Sequence, residues 1–112
     1  MSKCSLNCGY FHGVSGPAFA EAQNYLEGLF RHVYYDAGTD LLELTGGTNF
    51  PDEPSKLMEL FDKLSLLLTE TGKGRIMIQC ELSEICYFRK GMWKLLGIHV
   101  PPDPFDDIHY AG

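Results

Sequence analysis

The sequence lacks several features that would assign a class of function. No apolar run approaches the roughly 20 residues that span a bilayer, and no positively charged segment at the start leads into an apolar one. Both absences favour a cytoplasmic protein without a membrane partner. Basic residues are scarce, with 9 lysines and arginines against 15 acidic residues. The net charge of −6 repels phosphate backbones, so nucleic acid is not an expected partner.

Recognisable catalytic motifs are missing too. The chain has no nucleophile elbow, no glycine-rich phosphate loop with its lysine, and no metalloprotease helix. A thiol of Cys80 or Cys86 with His99 as base is the arrangement that remains, but nothing in the spacing requires it. A small enzyme with a thiol-based site is therefore our third interpretation.

The length of 112 residues, with 45% hydrophobic and 21% charged residues, suits one domain with its own core. We divide the chain into an N-terminal lead-in (residues 1–14), a domain (15–99) and an extended C-terminal tail (100–112). Prolines exclude regular helix or central strand from the tail. The tail is either disordered or anchored over the core or a partner by Phe105, Ile108 and Tyr110.

The middle of the chain predicts a strand, a helix and a second strand. The apolar run 41–45 stops at two glycines, and the second strand covers residues 75–80. Between them, apolar residues from Leu57 recur at the spacing of one helical face until Gly72. Because the second strand is almost continuously apolar, we expect both of its faces to be covered.

Helices are predicted on both sides of this unit. Ser15 and Pro17 begin the first one, which a hairpin of residues 33–35 and 41–44 follows, unless that helix continues through Tyr35. Ser83 caps the last helix, which ends at Gly97. The predicted fold is a single α/β domain, with α+β as the alternative, in which three helices pack on a sheet of three or four strands.

The last predicted helix carries the one concentrated basic patch of the sequence. Arg89, Lys90 and Lys94 surround Trp93, the single tryptophan. The patch is either a solvated helix face or a docking site for an acidic partner protein or a second copy of the chain.

A second candidate site lies at the N-terminus, where Cys4, Cys8 and His12 follow the pattern C-x3-C-x3-H. With no secretory signal, free thiols or metal ligands are expected rather than disulfides. Zinc sites usually add a second ligand pair from a distant segment, here either Cys80 with Cys86 or His99 with His109. The alternative is a loose segment with incidental thiols.

Residues 42–46, the helix entry 50–54, and the strand 75–81 leading into Leu82 and Ser83 resemble the SiaC-type bacterial regulatory proteins. These are STAS-like α/β domains that act as anti-sigma or enzyme-binding antagonists. They are switched by phosphorylation of a hydroxyl residue after a central strand. The resemblance implies a phosphoacceptor at Ser83. From the residue pattern alone, Ser83 is predicted to cap a helix.

Taken together, the sequence predicts a small cytoplasmic, non-catalytic regulatory or protein-interaction module without a cofactor. The alternative is a zinc protein that uses Cys4, Cys8 and His12. The expected partner is another protein or a second copy of the chain.

Overall fold

The fold is taken from a computed structural model that describes residues 3–51, 54–79 and 83–97. These residues form seven strands and two helices. In chain order the elements are β1 (Lys3–Val14), α1 (Gly16–Leu29), β2 (Phe30–Asp36), β3 (Leu41–Gly47), β4 (Asn49–Pro51), α2 (Pro54–Ser65), β5 (Leu68–Gln79), β6 (Ser83–Arg89) and β7 (Met92–Gly97). Within the described residues, neither helix is long and apolar enough to cross a bilayer.

All strands join one sheet in the order β2-β3-β1-β5-β6-β7, and each neighbouring pair is antiparallel. The short β4 pairs with the start of β1, on the side that β3 occupies further along. Apart from β4, the chain from β1 to β5 follows the β-α-β-β-α-β order of the ferredoxin-like split β-α-β arrangement. The hairpin β6-β7 widens the sheet beyond β5.

The predicted α/β fold with three or four strands and three helices is wrong, because the sheet is wider, antiparallel and accompanied by two helices in the described residues. The third helix, capped by Ser83, is instead the hairpin β6-β7. Cys86 and Phe88 are buried while Tyr87 between them is exposed, which is the alternation of a strand. A two-residue turn joins the strands and places Gly91 at φ 73°.

The N-terminal lead-in predicted for residues 1–14 is also corrected, because residues 3–14 form the central strand β1. Leu6, Phe11 and Val14 point into the core. The pairing with β5 shifts register between Leu6 and Cys8 and again between His12 and Val14. These shifts place Leu6 and Val14 on the same core face as Phe11, although strict alternation would not. Polar side chains lie on the opposite face, which made the segment resemble a loop.

The first helix and the following hairpin are confirmed. The Ser15 hydroxyl oxygen accepts a 3.3 Å hydrogen bond from the Ala18 amide, and α1 ends at Leu29 so that β2 can pair with β3. Helix α2 is confirmed as well, although it stops at Ser65 rather than near Gly72 because β5 begins at Leu68.

The core lies between the two helices and one face of the sheet. Phe88 lies at its centre, with its ring centroid 5.2 Å from that of Phe11 and 5.8 Å from that of Phe61. Ile76 and Ile78 of β5 also point inwards. The expectation that both faces of this strand are covered is corrected, because Met77 lies on a face that no described element covers.

Candidate functional site

The face of the sheet opposite the helices is the most distinctive surface of the described residues, and we call it the open face. Antiparallel register aligns its side chains in rows that run across the strands. The central row, in sheet order, is Tyr34, Glu43, Tyr10, Arg75, Tyr87 and Lys94. Such cross-strand neighbours have Cβ atoms about 5 Å apart, so the row is continuous.

Positive charge is concentrated on the β5 to β7 side of the open face. We call Lys73, Arg75, Arg89 and Lys94 the basic cluster. Lys73 precedes Gly74 on β5 and Arg89 follows Phe88 on β6. Because Gly74 pairs with Phe88, Lys73 and Arg89 lie next to each other just beyond that pair. Arg75 and Lys94 lie on either side of Tyr87. Together they are four of the nine basic residues in a chain of net charge −6.

The basic cluster forms no ion pair with a carboxylate in the described part of the chain. The hydrogen bond from Arg89 goes to the Phe88 carbonyl oxygen. Two unit charges 6 Å apart repel by roughly 0.7 kcal/mol even in bulk water. An anionic group bound between these side chains would relieve that repulsion.

Aromatic rings and an open depression accompany the cluster. Tyr10 and His12 meet edge to face with ring centroids 4.8 Å apart, and Tyr87 is 41% exposed. These three residues line a depression of about 370 Å³ together with Lys73, Arg75 and Arg89. The depression therefore offers both charge and aromatic surface to a ligand.

An apolar row borders the basic cluster. Met77, Ile85 and Leu96 are cross-strand neighbours on β5, β6 and β7, and Cys8 lies beside Met77 on β1. Leu96 is 43% exposed. A second depression of about 390 Å³ lies between Cys8, Met77 and Ile85 on one side and Glu43 on the other. Apolar contact is thus available next to the charges.

The four residues predicted as a docking patch are divided between two faces. Arg89 and Lys94 belong to the open face, and Lys90 lies in the β6-β7 turn. Trp93 points to the helices, where its ring centroid is 5.1 Å from that of Phe61. The sequence analysis missed Tyr10, Lys73, Arg75 and Tyr87. The alternation of Lys73 and Arg75 with Gly72, Gly74 and Ile76 could have identified these two residues, but not their place beside Tyr10 and Tyr87.

The three predicted zinc ligands do not come together in the described structure. Cys8 and His12 are four residues apart on β1, so their Cα atoms are about 13 Å apart, which is too far for two ligands of one zinc ion. The Cys4 side chain, Cys80, His99 and His109 lie outside the described part. The described residues contain no cluster of three or more metal-binding side chains.

Ser83 and Cys86 occupy positions on β6. The Ser83 hydroxyl donates a 3.0 Å hydrogen bond to the Gln79 amide oxygen across the β5-β6 pair, so it does not cap a helix. Burial raises the pKa of the Cys86 thiol to about 12, partly offset by a backbone hydrogen bond from Lys94. A buried, protonated thiol is a poor nucleophile, so the structure gives no support to a Cys86 enzyme.

Comparisons of the chain with protein-family models, curated proteins and solved structures find no match. The resemblance to SiaC-type regulatory proteins and the phosphoacceptor role of Ser83 therefore stay predictions.

Proposed function

We propose that this chain is a non-catalytic protein-interaction module that binds an acidic protein segment on the open face of its sheet. The observation that carries the proposal is the basic cluster, four cations without an ion-pair partner among the described residues of an acidic chain. Tyr87 lies between Arg75 and Lys94, and Tyr10 lies beside Arg75 on β1, so both add contact surface.

The composition of the open face favours protein over nucleic acid. Tyrosine, arginine and methionine are enriched in protein interfaces, and the row of Met77, Ile85 and Leu96 matches the apolar part of such a contact. Glu43 lies directly across from Tyr10 and would repel a phosphate backbone that followed the central row. An acidic peptide can instead place its carboxylates on the β5 to β7 side alone.

Salt should control the strength of this contact. The acidic remainder of the chain repels an acidic partner, but at physiological ionic strength that repulsion is screened beyond about 8 Å. Attraction to the basic cluster acts at contact distance, although salt weakens it too because the side chains are exposed. We therefore expect binding that falls as salt is added.

The test measures fluorescence anisotropy of a fluorescein-labelled peptide of alternating glutamate and tyrosine. Arg75→Glu reverses the charge between Tyr10 and Tyr87, and we expect it to weaken binding by at least about tenfold, which corresponds to roughly 1.4 kcal/mol. Lys63→Glu makes the same charge change on α2, far from the open face, and should leave the affinity nearly unchanged.

Three results would contradict the proposal. The first is equal loss of affinity in the Arg75→Glu and Lys63→Glu variants. The second is the absence of binding by the unmodified chain. The third is tighter binding of a single-stranded oligodeoxythymidine than of the peptide, which would assign the face to nucleic acid.

A further inference from the structure

The open face has a candidate ligand within the same chain. We propose that the acidic C-terminal segment, residues 103–110, binds the basic cluster of its own chain and competes with the partner. The inference rests on the proposed function, because it assigns a second ligand to the same face.

The chemistry of this segment matches that of the open face. It carries three carboxylates, Asp103, Asp106 and Asp107, and two aromatic residues, Phe105 and Tyr110, within eight positions. These residues lie outside the part of the chain that the structure describes, so their sequence and the position of Gly97 carry the inference. Carboxylates would meet the basic cluster, and the rings would meet Tyr87 and Met92.

The described part of the chain ends near the basic cluster. β7 ends at Gly97, three residues beyond Lys94. Arg75 lies in the same row as Lys94 and two strands away, so it is about 14 Å from Gly97. Asp103 is six residues beyond Gly97, and an extended chain of that length reaches about 20 Å. Asp106 and Asp107 can reach the more distant Lys73.

Attachment to the same chain strengthens even a weak contact. A short linker gives the tethered segment an effective concentration in the millimolar range. A segment with an intrinsic dissociation constant of about 1 mM would then occupy the face for roughly half of the time. At that occupancy, removing its charge should tighten the binding of an external ligand about twofold, and the gain would rise to about tenfold for a segment that occupies the face nine-tenths of the time.

The experiment compares two triple variants of the full chain that lose the same negative charge. The tail variant carries Asp103→Asn, Asp106→Asn and Asp107→Asn. The control carries Glu21→Gln, Glu27→Gln and Glu59→Gln, all on the helices. We expect the tail variant to bind the glutamate and tyrosine peptide at least about twofold more tightly than the control.

A second measurement separates the chain's own tail from that of a second copy. The ¹³C-methyl signal of Met92, which is 63% exposed beside Arg89, should shift in the tail variant and not in the control. In the unmodified chain the chemical shift of the Met92 methyl group should not change with protein concentration. Equal affinities with an unmoved Met92 signal, or a signal that moves with concentration, would overturn the inference. If Arg75→Glu still weakens peptide binding while the tail variant behaves like its control, the proposed function stands and only the role of the tail is excluded.

Discussion

The indole N–H of Trp93 donates a 2.8 Å hydrogen bond to the Asp62 carboxylate and thereby joins edge strand β7 to helix α2. The same indole packs against Phe61. Because neighbouring residues of a strand point to opposite faces, this inward position of Trp93 directs Met92 and Lys94 to the open face. Trp93 therefore positions part of the basic cluster without belonging to the open face.

The first prediction separates the hydrogen bond of Trp93 from its packing. Trp93→Phe keeps a ring against Phe61 but removes the donor to Asp62, and it should lower the free energy of unfolding by about 1 kcal/mol. Trp93→Ala also removes the ring and should cost about 3 kcal/mol. Urea denaturation measures both values.

Peptide binding provides the control for this pair. Since Trp93 faces the helices, Trp93→Phe should bind the glutamate and tyrosine peptide as the unmodified chain does. A tenfold loss of affinity in a stably folded Trp93→Phe protein would show that Trp93 takes part in binding.

The second prediction concerns Gly74, which lies opposite Phe11 in the β1-β5 pair. A Cβ atom at this position would overlap the Phe11 ring, so Gly74→Ala should displace a fully buried side chain and cost about 2 kcal/mol or more. Gly28 of α1 has no atom within 4 Å of such a Cβ, and Gly28→Ala should stabilise the protein by about 0.5 to 1 kcal/mol. Thermal unfolding of the two variants tests the contrast, and a stable Gly74→Ala protein would show that Phe11 packs elsewhere.

Helical periodicity and turn chemistry correctly predicted α1, the β2-β3 hairpin and α2. Ser15 and Pro17 identify the start of α1, and the glycine-containing turn between two β-favouring runs identifies the β2-β3 hairpin. These signals are local, since they depend on a cap or a turn a few residues long. The residues of the cap or the turn therefore determine the structure of that segment without help from distant strands.

Tertiary pairing decides the segments that the sequence analysis missed. β1 is stabilised by pairing with β3, β4 and β5, which lie far along the chain, and its polar residues resemble a loop when viewed alone. In β6 and β7, Ile85, Phe88, Met92 and Leu95 match helical spacing by coincidence. The open face could not be predicted either, because it forms only when these strands align side by side.

The third prediction concerns stability at high pH. The Cys86 thiol has its ordinary pKa of 9.0 in the unfolded chain and a pKa raised to about 12 in the folded protein. Below pH 9 the thiol is protonated in both the folded and the unfolded state, so its ionisation does not lower the free energy of unfolding. Between pH 9 and 12 only the unfolded state releases the proton, so the free energy of unfolding should fall as pH rises.

Cys86→Ala provides the comparison for this pH dependence. It should lower stability at pH 7 but make the decline above pH 9 shallower, as measured by urea denaturation at several pH values. Burial also raises the pKa of Tyr25, and burial together with the neighbouring Asp40 and Asp36 raises that of Tyr35, so both should account for part of the remaining decline. Identical declines in both proteins would contradict the assignment to Cys86.

Three methionine methyl groups report directly where an acidic ligand binds when the glutamate and tyrosine peptide is added to the ¹³C-methyl-labelled full chain. Met77 and Met92 lie on the open face, and Met58, which is 52% exposed on α2, serves as the internal control. We expect saturable shifts of the Met77 and Met92 signals with one dissociation constant, while the Met58 signal stays in place. A shift of Met58 with Met77 and Met92 unmoved would show that the acidic ligand binds the helical side and not the open face.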